Sequence, residues 1–469
     1  MNNQQESTKI RAAESANDQG AIGKFPKTRA VMAILSAKIA KKGSQLLGKG
    51  GGNIPGVIAR KVDRRILTKL ANQVETTIVL TGTNGKTTTS NLLAAILHET
   101  GKPVIHNALG NNLLSGVTAC YVDSASINGK LNQPYKYAVM EIDESNIPLV
   151  LKELTPTYAL VTNFSRDQLG RVGEIDLLVE KVKKGIQPTP ATLVLNADDP
   201  LVMRMESLEN PKVHFGIHPN AYDFESFSMA ESKFCPDCGN ELTYDHLHYG
   251  HLGLFHCTCG FKRPTPSYEC THIEEGDLSF RVDEQLYQLS IEGVYNVYNA
   301  LAAIAVAREL GIEEEVIARG IMNYRSSNGR MERFNINGGA RLLNLVKNPV
   351  GMDTTLSEVI KEKQAKQWVF AFDEKTHDED ISWIWDTDLE RIAKTEYTRL
   401  ICCGNRAQEM ALRLKYGGVD ESSIVVIEDK KQAMEESFRE ATPTYYVPTY
   451  TALSTVRKYL QKNNEGEKK

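Results

Sequence analysis

The most constraining feature of the chain is a loop at residues 81–89, Thr-Gly-Thr-Asn-Gly-Lys-Thr-Thr-Thr, between an apolar run at 77–80 and a helical run at 91–97. Successive backbone N–H groups at a helix N-terminus form a cradle for phosphate oxygens. In such a loop Lys86 reaches the β- and γ-phosphates and the Thr87 hydroxyl ligates Mg²⁺. The strict Gly-x-x-x-x-Gly-Lys pattern is broken by Leu80, but the strand–loop–helix order still predicts ATP binding in an α/β domain. The candidate nucleotide contacts are Thr81, Gly82, Thr83, Asn84, Gly85, Lys86, Thr87 and Thr88.

Short β-branched runs alternate with helical patterns along the chain, which predicts parallel sheets covered by helices on both faces. A length of 469 residues is enough for two or three domains. We expect an ATPase domain at 71–331 and a smaller Rossmann-like α/β domain at 332–460. The expected remainder is a disordered tail at 1–30, a basic helical arm at 31–70 and a second disordered tail at 461–469.

Charge is distributed unevenly. Residues 1–70 hold 14 Lys/Arg and 4 Asp/Glu, a balance of +10, so the remainder carries −14 within the whole-chain −4. The amphipathic arm has two interpretations. Either one of its faces packs on the next domain, or the arm contacts an anionic membrane surface, where each Lys or Arg contributes about 1 kcal/mol to the binding free energy. The chain has no apolar run long enough to cross a bilayer, and its first residues do not resemble a signal peptide. We therefore expect it in the cytoplasm, either free or at the inner face of the cell membrane.

Four of the eight cysteines form two pairs, Cys235-x-x-Cys238 and Cys257-x-Cys259, with eighteen residues between them. The pattern predicts a zinc ribbon at 231–265, inserted in the ATPase domain, whose turns are relaxed by Gly239 and Gly260. Four thiolates leave no open coordination position, which indicates a structural metal. The alternatives are unligated thiols, or a ligand taken from the four intervening histidines: His246, His248, His251 and His256. Nucleic-acid binding is disfavoured, because the body is acidic.

Acidic residues follow a second strand-like run at 137–140. Glu141 stands where an α/β sheet holds its Mg²⁺, and the alternative is a solvated acidic turn that includes Asp143 and Glu144. Further on, Asn296 and Asn299 are three residues apart and share a helix face, although Asn296 also suits a helix cap.

The phosphate loop and the segments at 158–169, 193–200, 293–303 and 328–332 together resemble the Mur ligase superfamily, ATP-dependent enzymes that join amines to carboxylates. The resemblance implies a Mur ligase-like central P-loop ATPase domain in which Asn296 and Asn299 bind the adenine base and Arg330 contacts the phosphates. Gln168 stands where these ligases have a His that helps to hold a second metal. In the segment at 344–349, Asn344 and Lys347 replace the ligases' acid and His.

The cysteine pairs, the short arm in place of a UDP-sugar-binding domain and the segment at 381–386 are similar to the Mur ligase-like subunits of bacterial lipid II isoglutaminyl synthases. That resemblance implies ATP-dependent amidation of the D-glutamate α-carboxyl in the lipid II stem peptide. Ammonia then comes from a separate class I glutaminase subunit of the GatD type, whose triad is completed by Asp380 of this chain. Asp378 is the candidate for this role if the register slips, and the alternative interpretation is that the whole acidic stretch is a solvated loop.

The chain itself has no nucleophile-elbow cysteine, because Cys402 and Cys403 fit a buried strand. The competing functions are a stand-alone Mur or folylpolyglutamate-type amino-acid ligase and a zinc-ribbon ATPase that binds nucleic acid.

Overall fold

The computed structural model describes residues 26–46, 52–108, 110–165, 175–222, 232–274, 278–291, 293, 295–325, 329–374 and 380–465. No helix within these ranges is both long and apolar enough to cross a bilayer. The first elements of the described residues are three helices, α1 (Pro26–Leu46), α2 (Ile54–Val62) and α3 (Ile66–Ala71). The expected N-terminal tail reached residue 30, whereas α1 already begins at Pro26, a residue type that suits the first helical turn.

The larger sheet has nine strands in the order β11-β10-β9-β6-β5-β4-β1-β3-β2. They are β1 (Thr76–Thr81), β2 (Val104–His106), β3 (Tyr137–Glu141), β4 (Tyr158–Val161), β5 (Thr192–Asn196), β6 (Lys212–Ile217), β9 (Tyr268–Glu274), β10 (Ser279–Val282) and β11 (Gln285–Gln288). All neighbouring pairs are parallel except β9 with β10 and β10 with β11.

Helices cover both faces of this sheet, as predicted. They are α4 (Lys86–Glu99), α5 (Leu114–Asp123), α6 (Ile147–Val150), α7 (Ile175–Ile186), α8 (Tyr295–Glu309) and α9 (Glu314–Asn323). Within β1, Val79 joins the core on the side of α1, α5 and α7, whereas Ile78 and Leu80 join the core under α4, α8 and α9. Strands buried on both faces read as continuous apolar runs, which explains the pattern at 77–80.

The cysteine pairs flank an antiparallel hairpin, β7 (Thr243–Tyr249) with β8 (Leu252–His256). Cys235, Leu242, Phe255 and Cys257 belong to the same hydrophobic core as α1, α5 and α7. The insert is therefore packed against the domain that carries it.

Among the described residues the second sheet has six strands in the order β12-β13-β17-β14-β15-β16, and only their β12–β13 pair is antiparallel. Its strands are β12 (Glu332–Ile336), β13 (Gly339–Leu343), β14 (Lys366–Ala371), β15 (Tyr397–Cys403), β16 (Ile424–Val426) and β17 (Thr444–Pro448). Its helices are α10 (Pro349–Ile360), α11 (Ala407–Tyr416), α12 (Lys430–Ser437) and α13 (Tyr450–Asn463).

The expected C-terminal tail began at residue 461, but α13 continues to Asn463. The two residues that follow are also tied to the fold, because Asn464 Oδ1 accepts a hydrogen bond from Asn335 N at 3.0 Å and Glu465 Oε1 accepts one from Asn337 N at 2.9 Å. These contacts order the chain as far as residue 465.

Candidate active site

The phosphate loop joins β1 to α4 through two glycines with positive φ, 126° at Gly82 and 80° at Gly85. A Cβ at Gly82 would lie 2.3 Å from Thr162 Oγ1, and one at Gly85 would lie 2.1 Å from Asn299 Oδ1. Neither position has room for a side chain. The loop is thus held closely between the end of β4 and helix α8.

The residues after β4 support this loop through hydrogen bonds. Thr83 N donates to Asn163 O at 2.8 Å, and Asn84 N donates to Asn163 Oδ1 at 3.0 Å. Ser165 N donates to Thr83 Oγ1 at 3.1 Å. The Thr81 hydroxyl donates to Ile142 O at 2.9 Å, so this candidate contact braces the neighbouring strand. The rest of the segment, including Gln168, lies outside the described residues.

Lys86 is buried at the start of α4. Its Nζ donates to Gly82 O, to Thr83 O at 3.2 Å and to Glu144 Oε1 at 3.1 Å. Burial raises the pKa of Glu144, and the charges of Lys86 and Lys347 oppose that rise. Glu144 is therefore an acid paired with the loop lysine, a role that the sequence did not indicate, and the solvated-turn interpretation is wrong for it.

Glu141 ends β3, directly beside Leu80 of β1, and only 2% of its surface is exposed. Its Oε1 accepts a hydrogen bond from Asn112 Nδ2 at 3.1 Å, whereas its Oε2 is buried without a hydrogen-bond partner among the described residues. A Cβ on Gly110 would lie 3.7 Å from Thr87 Oγ1 and 3.8 Å from both carboxylate oxygens of Glu141, so the hydroxyl and the carboxylate border one small space. A buried, unsatisfied carboxylate oxygen beside a hydroxyl fits the hard oxygen ligands that Mg²⁺ prefers.

Asp143, close to Glu141 in sequence, has a different role. Its Oδ1 accepts a hydrogen bond from Ser145 N at 3.0 Å and caps the 3₁₀ turn at 144–146. Asp143 is therefore a half-buried turn cap, and the solvated-turn interpretation is wrong for the buried Glu141.

Asn296 and Asn299 lie together on α8, and both are buried. Asn299 Nδ2 donates to Asn296 Oδ1 at 2.9 Å, and Thr89 Oγ1 donates to Asn299 Oδ1 at 3.2 Å. Asn296 is the second residue of α8 and its N–H bonds to Gly293 O, so the capping interpretation is wrong. Thr89 is a site residue that sequence reasoning missed, because its partner lies 210 positions away.

A cleft opens between the phosphate loop, the start of α8 and the second sheet's domain. Its lining residues are Asn84, Gly85, Thr88, Asn163, Ile291, Tyr295, Asn296, Asn299, Arg330, Met331, Asn344, Leu345, Val350, Gly351 and Thr354. The structure thus brings part of the loop, both asparagines and Arg330 to one place. Asp380 and the four paired cysteines do not line this cleft.

The domain of the second sheet also touches the loop directly. Lys347 Nζ donates to Thr83 O at 3.3 Å, and Asn348 Nδ2 donates to Asn84 Oδ1 at 3.1 Å. Asn348 Oδ1 accepts from Gly351 N at 2.9 Å, which caps α10. Asn344 Nδ2 donates to Thr355 Oγ1 of its own domain at 2.8 Å, and Asn344 Oδ1 accepts from Met331 N at 3.2 Å.

The four paired cysteines form a compact cluster whose Sγ atoms all lie within 4.8 Å of one another. Cys235 and Cys259 are 3.6 Å apart, and Cys238 and Cys257 are 3.5 Å apart. Four thiolates on a tetrahedral Zn²⁺, with Zn–S bonds of about 2.3 Å, are separated by about 3.8 Å. Gly239 and Gly260 take φ values of 75° and 99° in the two turns, as their type allows. The cluster fits a zinc site.

The intervening histidines do not join this cluster. His248 Nε2 lies 3.9 Å from Asp198 Oδ2, and His251 Nε2 lies 3.3 Å from Asp199 Oδ1. These contacts dock the hairpin on the turn that follows β5.

Asp380 is exposed at the start of the segment 380–394 of the second domain. Its Oδ2 accepts a hydrogen bond from Ser382 Oγ at 2.7 Å and its Oδ1 accepts one from Ser382 N at 2.8 Å, and these bonds lower the pKa of Asp380. Asp378 lies outside the described residues. Asp373 is buried and pairs with Lys430 at 2.7 Å, so it belongs to the fold and not to a solvated loop.

Cys402 and Cys403 are fully buried in β15. Burial raises the pKa of Cys403 to about 12 and holds the pKa of Cys402 far above its ordinary value. The sequence-based assignment of these thiols to a buried strand is confirmed.

A mainly parallel sheet with a phosphate loop, a buried carboxylate on the adjacent strand and a second α/β domain beside the cleft is the architecture of a Mur ligase-like protein. The Mur ligase middle domain family matches residues 80–307, and the MurT ligase C-terminal family matches residues 345–453. The chain is 41% identical to the MurT subunit of the glutamine-hydrolysing lipid II isoglutaminyl synthase of Staphylococcus aureus strain COL, over 92% of this chain and 98% of that one. It therefore belongs to the MurT family of ligase subunits.

More distant proteins are also similar to this chain. The MurT subunit of Streptococcus pneumoniae is 34% identical over 88% of this chain and 93% of its own length. A pseudomurein peptide ligase type C from Methanothermus fervidus superposes with a TM-score of 0.64 at 25% identity, covering 83% of this chain and 79% of that one. MurF from Acinetobacter baumannii gives a TM-score of 0.61 at 17% identity, over 86% and 80% of the two chains. The predicted Mur ligase-like fold is confirmed.

Proposed function

We propose that this chain is the ATP-dependent subunit that amidates the D-glutamate α-carboxyl of the lipid II stem peptide, giving D-isoglutamine for peptidoglycan synthesis. The family relationship supports the overall reaction, because the MurT relatives are subunits of lipid II isoglutaminyl synthases that hydrolyse glutamine. The observation that carries the assignment of the site is the convergence of the phosphate loop, the paired asparagines and Arg330 on one cleft.

The chemistry begins with a carboxylate, which is a poor electrophile. A carboxylate oxygen of the substrate attacks the γ-phosphorus of ATP, ADP leaves and an acyl phosphate forms. Ammonia then attacks the carbonyl carbon, and inorganic phosphate leaves with the C–O bond pair and takes up the proton that the nitrogen loses. Such phosphoryl transfer depends on positioning and charge stabilisation more than on covalent help from the protein.

Lys86 and the backbone N–H groups of the loop bind the phosphates in this proposal, with Arg330 at the cleft wall. Lys347 of the other domain adds a second positive charge beside the loop, because its Nζ and the Nζ of Lys86 both donate to the Thr83 carbonyl. Asn296 and Asn299 bind the adenine edge. Thr87 and Glu141 hold Mg²⁺, which would neutralise charge on the phosphate oxygens when bound.

Ammonia has to come from a partner. All eight cysteines are among the described residues: four form the zinc-type cluster, Cys402 and Cys403 are buried, and burial raises the pKa of Cys120 and of Cys270 to about 12. A glutaminase nucleophile needs a reactive thiolate, so we place it on a class I glutaminase subunit of the GatD type. Asp380 then orients that subunit's catalytic histidine.

The cysteine cluster holds one structural Zn²⁺ in this proposal, because its closed set of four sulfurs leaves no position for substrate. Elemental analysis should find one zinc per chain, and Cys257→Ser should lose it, whereas Cys120→Ser should retain it. Full zinc retention by Cys257→Ser would show that the cluster is not the metal site.

The central experiment separates the two half-reactions. The purified chain with lipid II, ATP, Mg²⁺ and ammonium should convert the stem-peptide acid to the amide, detected by mass spectrometry. With glutamine as the nitrogen source, amidation should require the co-purified glutaminase subunit. Glutamine hydrolysis by the chain alone would overturn the division of labour, and a product that carries an added amino acid would indicate a stand-alone ligase.

We place the reaction in the cytoplasm at the inner face of the cell membrane, since the substrate is a lipid.

A further inference from the structure

Helices α1 and α2 expose an apolar stripe to solvent. On α1, Met32, Leu35 and Ile39 are 56%, 47% and 63% exposed, and on α2, Ile54 and Val57 are 41% and 43% exposed. The spacings of three and four residues place the members of each set on one helix face. The two helices pack against each other, and we call their two exposed stripes together the α1–α2 surface.

Folding of this chain does not require that surface to be apolar. The opposite side of α1 already carries Ala30, Ala33, Ile34 and Ala37, all of which belong to the hydrophobic core. Lys41 Nζ also pairs with Asp123 at 2.7 Å and ties α1 to α5. The packing interpretation of the arm is therefore correct for one face and leaves the other face unexplained.

Positive charge borders the exposed stripe. Between Asp18 and Asp63 the sequence contains nine Lys/Arg and no Asp/Glu. Lys42 continues the stripe of α1, and Lys61 continues that of α2, followed by Arg64; all three are exposed. Apolar side chains flanked by lysine and arginine are the signature of helices that lie in the interface of an anionic bilayer.

The charge of the rest of the molecule favours a single orientation. Residues 71–469 carry a balance of −14, which an anionic surface repels, whereas residues 1–70 carry +10. An anionic membrane would therefore attract the molecule by its N-terminal helices and turn the acidic body away from the lipid.

We propose that the α1–α2 surface docks the protein on the anionic inner leaflet, with its apolar side chains at the boundary between headgroups and acyl chains. Only the purpose of docking rests on the proposed function: docking holds the cleft near a substrate that is anchored in the same leaflet. Membrane binding itself depends on the surface alone.

The test is flotation of the full-length chain with vesicles of phosphatidylcholine plus phosphatidylglycerol, compared with phosphatidylcholine alone. The wild-type chain should float with the anionic vesicles, and less so at high salt. The double variant Leu35→Glu/Ile39→Glu should bind at least about tenfold more weakly. Leu412→Glu is the matched control, since Leu412 is 48% exposed on α11 of the other domain, and it should bind like the wild type.

Activity gives a second readout. With ammonium as donor, the double variant should amidate a water-soluble stem-peptide substrate at the wild-type rate and lipid II in anionic vesicles roughly tenfold more slowly. Equal flotation of wild type and double variant, or no flotation of the wild type, would overturn the docking proposal and leave the amidation function intact. Loss of glutaminase-subunit binding with unchanged flotation would show a protein interface instead. Flotation without amidation of either substrate would refute the proposed function and leave the docking proposal standing.

Discussion

Glu141 and Asp380 are the two carboxylates to which we assign chemical roles, and their surroundings are opposite. Glu141 ends a central strand, is 2% exposed and keeps one oxygen without a hydrogen-bond partner among the described residues. Asp380 is exposed on a surface segment, and both its oxygens accept hydrogen bonds from Ser382. A buried, unsatisfied acid suits a cation bound within the chain, whereas an exposed, oriented acid suits a group supplied by another subunit.

The supports of the two acids differ in the same way. The loop beside Glu141 is held from two domains, by Asn163 on one side and Asn348 on the other. Within the described residues, the segment that carries Asp380 is held by its own domain: Arg413 donates to Ile384 O at 3.0 Å and to Thr387 O at 2.6 Å, and Asp353 Oδ1 accepts from Asp388 N at 2.9 Å. The first site is enclosed by this chain, and the second presents a fixed edge to solvent.

The largest expected effect is that of Asp380→Asn on the glutamine-driven reaction. Loss of the acid that orients a catalytic histidine lowers the rate by about 10⁴-fold in a related triad. Amidation with free ammonium should be unchanged. Assays of the two-subunit complex with both nitrogen sources test this, with Asp386→Asn, an exposed acid of the same segment, as the control. Equal losses with both donors would mean that Asp380 has a structural role.

Glu141→Gln should lower amidation by about 10²–10³-fold with either nitrogen source, because a preorganised charge stabiliser is lost from the phosphoryl-transfer step. Asp143→Asn should stay near the wild-type rate, since Asp143 caps a turn. Steady-state rates over a range of Mg²⁺ concentrations provide the measurement. A loss of rate confined to the glutamine-driven reaction would contradict the proposed difference in role between Glu141 and Asp380.

Asn299→Ala should raise the KM for ATP about tenfold with little change in kcat, the loss expected from one or two hydrogen bonds to bound nucleotide. Asn323→Ala, on the exposed end of α9, is the control. If kcat falls while KM is unchanged, Asn299 acts on the loop through Thr89 and does not contact the nucleotide.

The smallest expected effect on rate is that of Asp353→Asn, which probes the support behind Asp380. Burial raises the pKa of Asp353 from 3.8 to about 7. The folded state therefore retains a proton that the unfolded state has lost, and stability falls as the pH rises from about 4 to about 7. The amide introduced by this substitution would keep an oxygen for Asp388 N without carrying charge, so this part of the pH dependence should disappear. Urea unfolding should show a stability gain for the variant that is larger at pH 8 than at pH 5 by about 1–4 kcal/mol. Parallel pH profiles of the two proteins would contradict the shifted pKa.

Much of the protein follows from local sequence. The strand–loop–helix order around Gly85 predicts a phosphate loop, because glycines and a helix N-terminus make an anion cradle wherever they occur together. The two cysteine pairs predict a cluster of four sulfurs, since both cysteines of each pair lie on one turn. The continuous apolar run at 77–80 predicts a strand covered on both faces. In each of these cases the decisive residues are close together in the chain.

Tertiary structure decided the relations between distant segments. Only the folded chain pairs Lys86 with Glu144, brings Thr89 to Asn299 across 210 positions and sets Lys347 against the Thr83 carbonyl across 264. It also decided which face of α1 is buried, since periodicity identifies two faces but not which of them meets the core. Local sequence determines the shape that a short segment can adopt, whereas the packing of whole domains determines which segments meet and which surfaces remain free for a membrane or a second subunit.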